Sequence, residues 1–176
     1  YELEALCVVN AAGLQACAIE ASSIGLAEGR LAGTHIRSAI FTNFTQDHLD
    51  YHGSMAQYWE AKAALFRWPG LSSAVINIDD AHGASLAFEV AQRVPDVWTV
   101  SCQQTARLQA CDIKQGAAGL EFVVCEGQQR HSVATALIGH YNLANLLGVM
   151  AAMRALGVPL AEVASVCASL SPVPGR

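Results

Sequence analysis

The chain has 176 residues, of which 53% are hydrophobic and 14% are charged, a composition that predicts one ordinary-sized domain with a large core and argues against disorder. Its net charge is −5 without any cluster of Lys or Arg, which argues against a nucleic-acid partner. No apolar run reaches the roughly 18 residues that a membrane-spanning helix needs, and no signal-peptide pattern opens the chain, so we expect no membrane partner.

The first part of the chain predicts alternating helices and buried strands. Residues 2–13 are typical of the end of a helix, and residues 54–66 and 81–93 predict two further helices. Continuous apolar runs of strand length separate these helices, as in strands that are covered on both faces of a parallel sheet. The runs are residues 16–20, 38–43, 74–80 and 97–100.

The pattern changes around residues 106–137, where short stretches separated by turn residues predict a small antiparallel segment. Its strands are expected at 106–114, 119–125 and 129–137. Two helices are expected after it, at about 141–156 and 159–170. The fold class is therefore α/β, with a mostly parallel sheet that is flanked by helices and carries a small antiparallel segment.

The six cysteines stand at positions 7, 17, 102, 111, 125 and 167, and no pair has the C-x-x-C spacing of a zinc or redox site. Five of them have apolar or small neighbours, as buried thiols do. We therefore expect reduced, structural thiols rather than a disulfide framework or a metal site, which points to the cytosol.

Ligands of an open parallel sheet bind at the carboxyl ends of its strands, so the residues that follow each strand are candidates. Glu20 follows the first run, and Asp79 and Asp80 follow the third. A carboxylate at the position of Glu20 can hold Mg²⁺ directly or through water, or it can cap a nearby helix.

A denser polar cluster follows the second run. Asp47, His48, Asp50 and His52 suggest a transition-metal site. The same stretch is also a loop that enters a helix, where Asp is an ordinary cap, and it lacks a complete zinc ligand set at a familiar spacing.

Lys62 is expected on an apolar helix face, because it lies four residues after Tyr58 and four before Phe66. It can extend its ammonium group to water, or it can react as a neutral amine, for example with CO₂. Asn142 and Asn145 share one face at the start of a later helix. They can be surface and capping residues, or their amides can bind a base or a phosphate.

Five segments in order resemble segments of the Mur ligase family. They are Ala18–Leu26, similar to MEVSSHGL; Phe41–Gly53, similar to TNLSxDHLDYHG; Glu60–Lys62, similar to the AK of the next helix; Gly139–Asn145, similar to GxxNxxN; and Pro172–Arg176, similar to PVxGR. Each motif alone is weak, but their order and spacing hold across nearly the whole chain.

The resemblance implies an ATP-dependent amide ligase of peptidoglycan precursor synthesis. The DHLDYHG form and the Gly-Arg ending resemble the family member that adds the third residue to UDP-MurNAc-L-Ala-D-Glu. That residue is a diamino acid, meso-diaminopimelate or L-lysine, and we favour the former. The carboxylate would take the γ-phosphoryl group of ATP, and the amine would then attack the acyl phosphate.

Residue roles follow from the resemblance. Glu20 and His48 correspond to ligands of Mg²⁺ or of its waters, and Lys62 corresponds to a carbamylated lysine that helps to hold Mg²⁺. These three residues are the expected catalytic set. Those expected to bind the UDP-muramoyl dipeptide are Ser22, Glu28 and Arg30, and those expected near the nucleotide are Asn142, Asn145 and Arg176.

The chain also departs from the family pattern. Glu28 stands where similar members of the family often have Gln, and its negative charge argues against direct contact with an anionic substrate. No G-x-x-x-x-G-K-[ST] motif occurs anywhere, so the phosphate-binding loop is missing from the sequence. Because the chain begins at Tyr1 rather than Met, we expect a truncated central domain without the N-terminal UDP-binding and C-terminal amino-acid-binding domains.

We expect this fragment to be cytoplasmic, monomeric and inactive by itself. Three alternatives stay open at this point. The chain can come from another Mur ligase or a folylpolyglutamate synthase-type ligase, it can be a non-catalytic folded fragment, or it can be an unrelated nucleotide-binding domain.

Overall fold

The computed structural model describes residues 17–46 and 49–170. These residues divide into two compact units. The described part of the first unit lies within residues 17–36 and 45–69, and that of the second within 37–44 and 70–170.

The first unit is helical. It contains α1 (Ser23–Ala27), α2 (Leu49–His52), α3 (Met55–Ala63) and a 3₁₀ turn at Ala64–Arg67. The side chain of Ser22 caps α1 by accepting a hydrogen bond from the Gly25 amide at 3.0 Å, and Ser54 caps α3 by accepting one from the Gln57 amide at 3.3 Å. The predicted helix at 54–66 is therefore confirmed, although its last turn tightens into 3₁₀ geometry.

The second unit is built on a six-stranded sheet whose spatial order follows the chain order. Its strands are β1 (Ser38–Phe41), β2 (Ser73–Asn77), β3 (Asp96–Ser101), β4 (Leu108–Gly116), β5 (Gly119–Glu126) and β6 (Gln129–Thr135). Strands β1 to β4 run parallel, whereas β4, β5 and β6 pair antiparallel. The predicted α/β class and the antiparallel segment are confirmed, and both parts belong to one sheet.

Strands β3 and β4 join the two parts of the sheet. Parallel strands ordinarily need a connection of a dozen or more residues. Here only Val100 and Ser101 pair with Leu108 and Gln109, so β4 begins where β3 ends and continues onward. A short loop is enough for this step, and the rest of β4 is left to pair with β5.

Helices cover the sheet. They are α4 (Ala81–Val90), α5 (His140–Ala155) and α6 (Leu160–Val166), with a 3₁₀ turn at Cys167–Ser169. The side chains of Leu143, Leu147 and Ala151 on α5 are fully buried in the main core cluster. Burial of each large apolar side chain contributes about 1.5–3 kcal/mol to stability, so this face stabilises the packing of α5 in the core.

Gly83 lets α4 approach β2 closely. A Cβ atom at this position would lie 1.9 Å from the carbonyl oxygen of Asn77. Only glycine fits such a backbone approach without displacing the helix.

The first predicted strand is wrong. Residues 17–22 have no regular secondary structure, and none of the six described strands pairs with them. An apolar run shows a tendency to be buried, but a strand forms only through hydrogen bonds to a neighbouring strand. Ala16 and the expected helix end at 2–13 lie outside the described residues.

The helices in the described part of the chain lack the length and apolar character needed to traverse a bilayer.

Candidate functional site

Two side chains at the carboxyl end of β2 hold the backbone that follows β1. The Asn77 amide donates a hydrogen bond to the Thr42 carbonyl at 2.8 Å. The Asp80 carboxylate accepts one from the Phe44 amide at 2.7 Å and another from the His82 amide at 2.8 Å, so it also caps α4. We call Asn77 and Asp80 the β2 clamp. Asn77 was not among the sequence candidates, and its only signal was a polar residue within an apolar run.

Asp79 organises the turn after β3. Its carboxylate accepts hydrogen bonds from the Ser101 hydroxyl at 2.5 Å and from the Cys102 amide at 2.7 Å. Burial, together with the negative charge of Asp79, raises the pKa of the Cys102 thiol to about 12. The two acids expected at this edge of the sheet are therefore present, and both hold backbone in the described structure.

Glu20 and Ser22 precede α1 in the first unit. Glu20 is exposed, and Ser22 is half-buried at the helix N-cap. Since Glu20 belongs to a segment without regular structure, it does not end a strand as the sequence predicted. The chemistry expected of Glu20 needs only an accessible carboxylate, which this position provides.

Glu28, Arg30 and Tyr51 form an exposed polar group in the same unit. Arg30 donates to one oxygen of Glu28 from Nε at 2.9 Å and from Nη2 at 2.6 Å, and the Tyr51 hydroxyl donates to the other oxygen at 3.2 Å. Desolvation and the bond to the Glu28 carboxylate raise the pKa of Tyr51. An anionic ligand of Arg30 would therefore have to compete with Glu28.

Lys62 lies in the last turn of α3, half-buried, with Nζ 5.3 Å from the centre of the Tyr58 ring. The predicted pairing of these two residues on one helix face is confirmed. Tyr58 is buried and stacks on the His52 ring at 5.3 Å, and His52 Nε2 lies 2.9 Å from the Ser23 hydroxyl. Lys62 thus stands at the edge of a packed aromatic layer.

In the described structure, His52 packs on Tyr58 and lies within hydrogen-bond distance of Ser23. Within residues 17–46 and 49–170, no three His, Cys, Asp or Glu side chains come together as metal ligands would. Two members of the suggested transition-metal group, Asp47 and His48, lie outside the described residues.

The two asparagines predicted near a nucleotide open α5 in the second unit. Gly139 is the N-cap residue, and the side-chain amide of Asn142 donates to the Ile138 carbonyl at 2.7 Å. Asn142 and Asn145 are both exposed. Arg176, the third predicted nucleotide contact, lies outside the described residues.

The chain is similar to proteins of one known family. The model of the Mur ligase middle domain matches residues 2–153. The UDP-N-acetylmuramoyl-L-alanyl-D-glutamate--2,6-diaminopimelate ligase of Acidovorax sp. (strain JS42) is 60% identical over 165 residues, which cover 94% of this chain and 33% of that protein. The protein of the same name from Janthinobacterium sp. (strain Marseille) is 46% identical over 175 residues, which cover 96% of this chain and 34% of that protein.

A solved structure of the same kind of ligase is also similar. Its TM-score is 0.82 at 38% sequence identity, and the match covers 89% of this chain and 33% of that one. The chain thus spans about a third of the length of the relatives that it matches.

Proposed function

The chain belongs to the Mur ligase family, and we propose that it is the middle domain of an ATP-dependent ligase that joins 2,6-diaminopimelate to UDP-N-acetylmuramoyl-L-alanyl-D-glutamate. The observation that carries this proposal is the 60% identity to the Acidovorax ligase over 94% of the chain. Identity at this level across a whole domain supports a shared reaction, whereas a shared fold alone would not.

The proposed reaction activates a carboxylate before it meets an amine. The substrate carboxylate attacks the γ-phosphorus of ATP, which forms an acyl phosphate and releases ADP. The diaminopimelate amine then attacks the acyl carbon, and the tetrahedral intermediate loses inorganic phosphate as the amide bond is completed and the amine gives up a proton. Activation is needed because phosphate is a far better leaving group than the oxide of a free carboxylate.

Ser22 and Arg30 are proposed to contact the UDP-muramoyl dipeptide. The guanidinium group of Arg30 is a planar donor that suits a phosphate or a carboxylate. When Arg30 turns to such an anion, Glu28 keeps one hydrogen-bond donor, because Tyr51 holds its other oxygen. Glu28 is therefore proposed as the group that occupies Arg30 until the substrate arrives.

Glu20, His48 and Lys62 are proposed to hold Mg²⁺ or the waters around it. The Glu20 carboxylate is the hard oxygen ligand that Mg²⁺ prefers, and a cationic Lys62 would repel the ion. The neutral Lys62 amine can add to CO₂, which forms a carbamate anion and releases one proton. When bound, Mg²⁺ supplies positive charge that offsets the charge of the phosphate groups.

Asn142, Asn145 and Arg176 are proposed to contact the nucleotide. Side-chain amides can both donate to and accept from a base or a phosphate. The exposure of Asn142 and Asn145 at the start of α5 supports this role. We further propose that the ligase is a cytoplasmic monomer and that this chain is inactive without the rest of the protein.

The similarity to known proteins bears differently on the three alternative interpretations of the sequence. The family match excludes an unrelated nucleotide-binding domain. Another Mur ligase or a folylpolyglutamate synthase is disfavoured by the high identity to diaminopimelate ligases. A folded fragment without activity of its own is compatible with the proposal.

The test exchanges the matching third of the Acidovorax ligase for this chain. With ATP, UDP-MurNAc-L-Ala-D-Glu and meso-diaminopimelate, the chimera should release ADP and form the tripeptide product, which mass spectrometry detects. L-Lysine should support less product than diaminopimelate. A folded chimera that releases ADP only with another acceptor, or that forms no product while the native ligase does, would contradict the proposal.

A further inference from the structure

The strongest unassigned feature is a pair of cysteines on neighbouring strands. The sulfur atoms of Cys111 on β4 and Cys125 on β5 lie 3.4 Å apart. In the strand register Cys111 faces Val123 and Cys125 faces Gln109, so the two thiols meet diagonally across the ladder. A disulfide bond needs about 2 Å between its sulfurs, and diagonal neighbours on a ladder are typically about 7–8 Å apart at Cα, so joining the two thiols requires a local movement of the backbone.

The backbone beside the pair is suited to such a movement. The register of β4 and β5 slips directly after Cys111, and Asp112 has a positive φ of 53°. A bulge of this kind leaves residues out of the ladder and increases the local twist. Cys111 therefore borders the least regular point of the two strands.

The two thiols differ in accessibility. Cys125 is buried, whereas Cys111 is half-buried and receives a hydrogen bond from the Gln109 amide to its sulfur at 3.5 Å. Burial and the neighbouring Cys111 raise the pKa of Cys125, which favours its protonated form. A solution oxidant would therefore reach Cys111 first, and Cys125 would be the second partner.

We propose that Cys111 and Cys125 form a peroxide-oxidisable dithiol. The Cys111 thiolate attacks one oxygen of hydrogen peroxide, the O–O bond breaks, and a sulfenic acid forms while the leaving hydroxide takes up one proton to give water. The Cys125 sulfur then attacks the Cys111 sulfur, so that the S–S bond forms, the S–O bond breaks, and a second water leaves with the Cys125 proton. Two thiols and one hydrogen peroxide thus give one disulfide and two waters.

The test treats the folded chain with hydrogen peroxide, blocks the remaining thiols with iodoacetamide, and maps the tryptic peptides. Trypsin cuts after Lys114, so the two cysteines fall in separate peptides, 108–114 and 115–130. We expect these peptides to appear linked, with the loss of two hydrogen atoms, and to separate again after reduction. Cys102 and Cys167, which lie in other peptides, should stay alkylated and serve as internal controls.

Variants separate this pairing from general oxidation. In Cys125→Ser, Cys111 should stop at the sulfenic acid, which dimedone traps. In Cys111→Ser, Cys125 should remain an alkylatable thiol, and Cys167→Ser should leave the link unchanged. The proposal is overturned if peroxide oxidises Cys111 without the link, or if the link forms equally well in denaturant, where the fold no longer sets the distance.

Discussion

At the scale of single residues, Lys62 offers the sharpest test of the proposed chemistry. In the chimera with the Acidovorax ligase, we expect Lys62→Ala to reduce kcat by about 100-fold or more, because the proposed carbamate supplies one of the charges that organise the site. Added formate or acetate should restore part of the rate, since a small carboxylate can take the place of the missing anion. Steady-state kinetics with and without the added acid measure both effects.

The control for Lys62 is Arg67→Ala. Arg67 lies just beyond α3 in an exposed pair with Glu60, so its loss should leave the rate nearly unchanged and give no response to carboxylates. Absence of rescue in Lys62→Ala, with the variant folded, would count against a carbamate.

The contacts of Asp96 lead us to expect that the stability of the fold depends on this carboxylate at acid pH. Its carboxylate accepts hydrogen bonds from Arg107 at 2.5 Å and from the Trp98 indole at 2.8 Å, and the Arg107 guanidinium lies 3.6 Å from the centre of the Trp98 ring. Burial alone would raise the pKa of Asp96, but these bonds and the charge of Arg107 outweigh it and lower the pKa. A carboxyl whose pKa is lowered by folding stabilises the fold above its unfolded value, about 3.9, and loses that contribution as the pH falls through the folded value.

We therefore expect urea denaturation to show a smaller loss of stability below about pH 4 in Asp96→Asn than in the unaltered chain. At pH 7 the variant should be less stable, because the ion pair with Arg107 is gone. Asp50→Asn, a change at an exposed carboxylate, is the control. Equal pH dependence in Asp96→Asn and the unaltered chain would show that this cluster does not control acid stability.

At the scale of elements, we expect the β2 clamp to stabilise the segment that follows β1. Asp80→Ala removes both the cap of α4 and the acceptor for the Phe44 amide. We expect a loss of about 1–3 kcal/mol in the free energy of unfolding, together with faster hydrogen exchange at residues 42–45. Ser85→Ala, on the exposed side of the same helix, should change neither. If the amide of Phe44 keeps its protection in Asp80→Ala, the clamp is not what orders this segment.

Local sequence patterns predicted most of the helices and strands. The wrongly predicted strand at 16–20 is explained by its lack of a partner among the described strands, which is a non-local property. Helical spacing placed Lys62 beside Tyr58, and the apolar run near β2 predicted a strand whose five residues are all buried. The run at 16–20 has a similar composition, but its described residues, 17–20, pair with no strand of the described structure. The sequence of the run alone could not reveal this.

The contacts at the candidate site also differ in whether they could be predicted from the sequence. Caps such as Ser54 act within a few residues and are readable from the sequence. The bond from Asn77 to Thr42 spans 35 positions, and the choice of Glu28 as the partner of Arg30 depends on side-chain geometry. Neither follows from periodicity, because both depend on which groups the tertiary fold brings together.

At the scale of the whole molecule, the sequence lacks the phosphate-loop motif, and this should show in nucleotide binding. We expect this chain to bind ATP at least about tenfold more weakly than the full-length Acidovorax ligase, because the loss of even one charge-assisted hydrogen bond is sufficient for such a difference. Calorimetry on both proteins at the same Mg²⁺ concentration measures it. Equal affinity would mean that residues of this chain alone supply the main nucleotide contacts.

The strand order of the sheet has a consequence for the rates at which its strands pair. Within the described residues, each strand from β2 onward pairs with the strand that precedes it in the chain. The tight turns among β4, β5 and β6 cost little loop-closure entropy, whereas joining β1 to β2 must close the long segment from Phe41 to Ser73. We therefore expect the hairpins of β4, β5 and β6 to form faster than the pairing of β1 with β2.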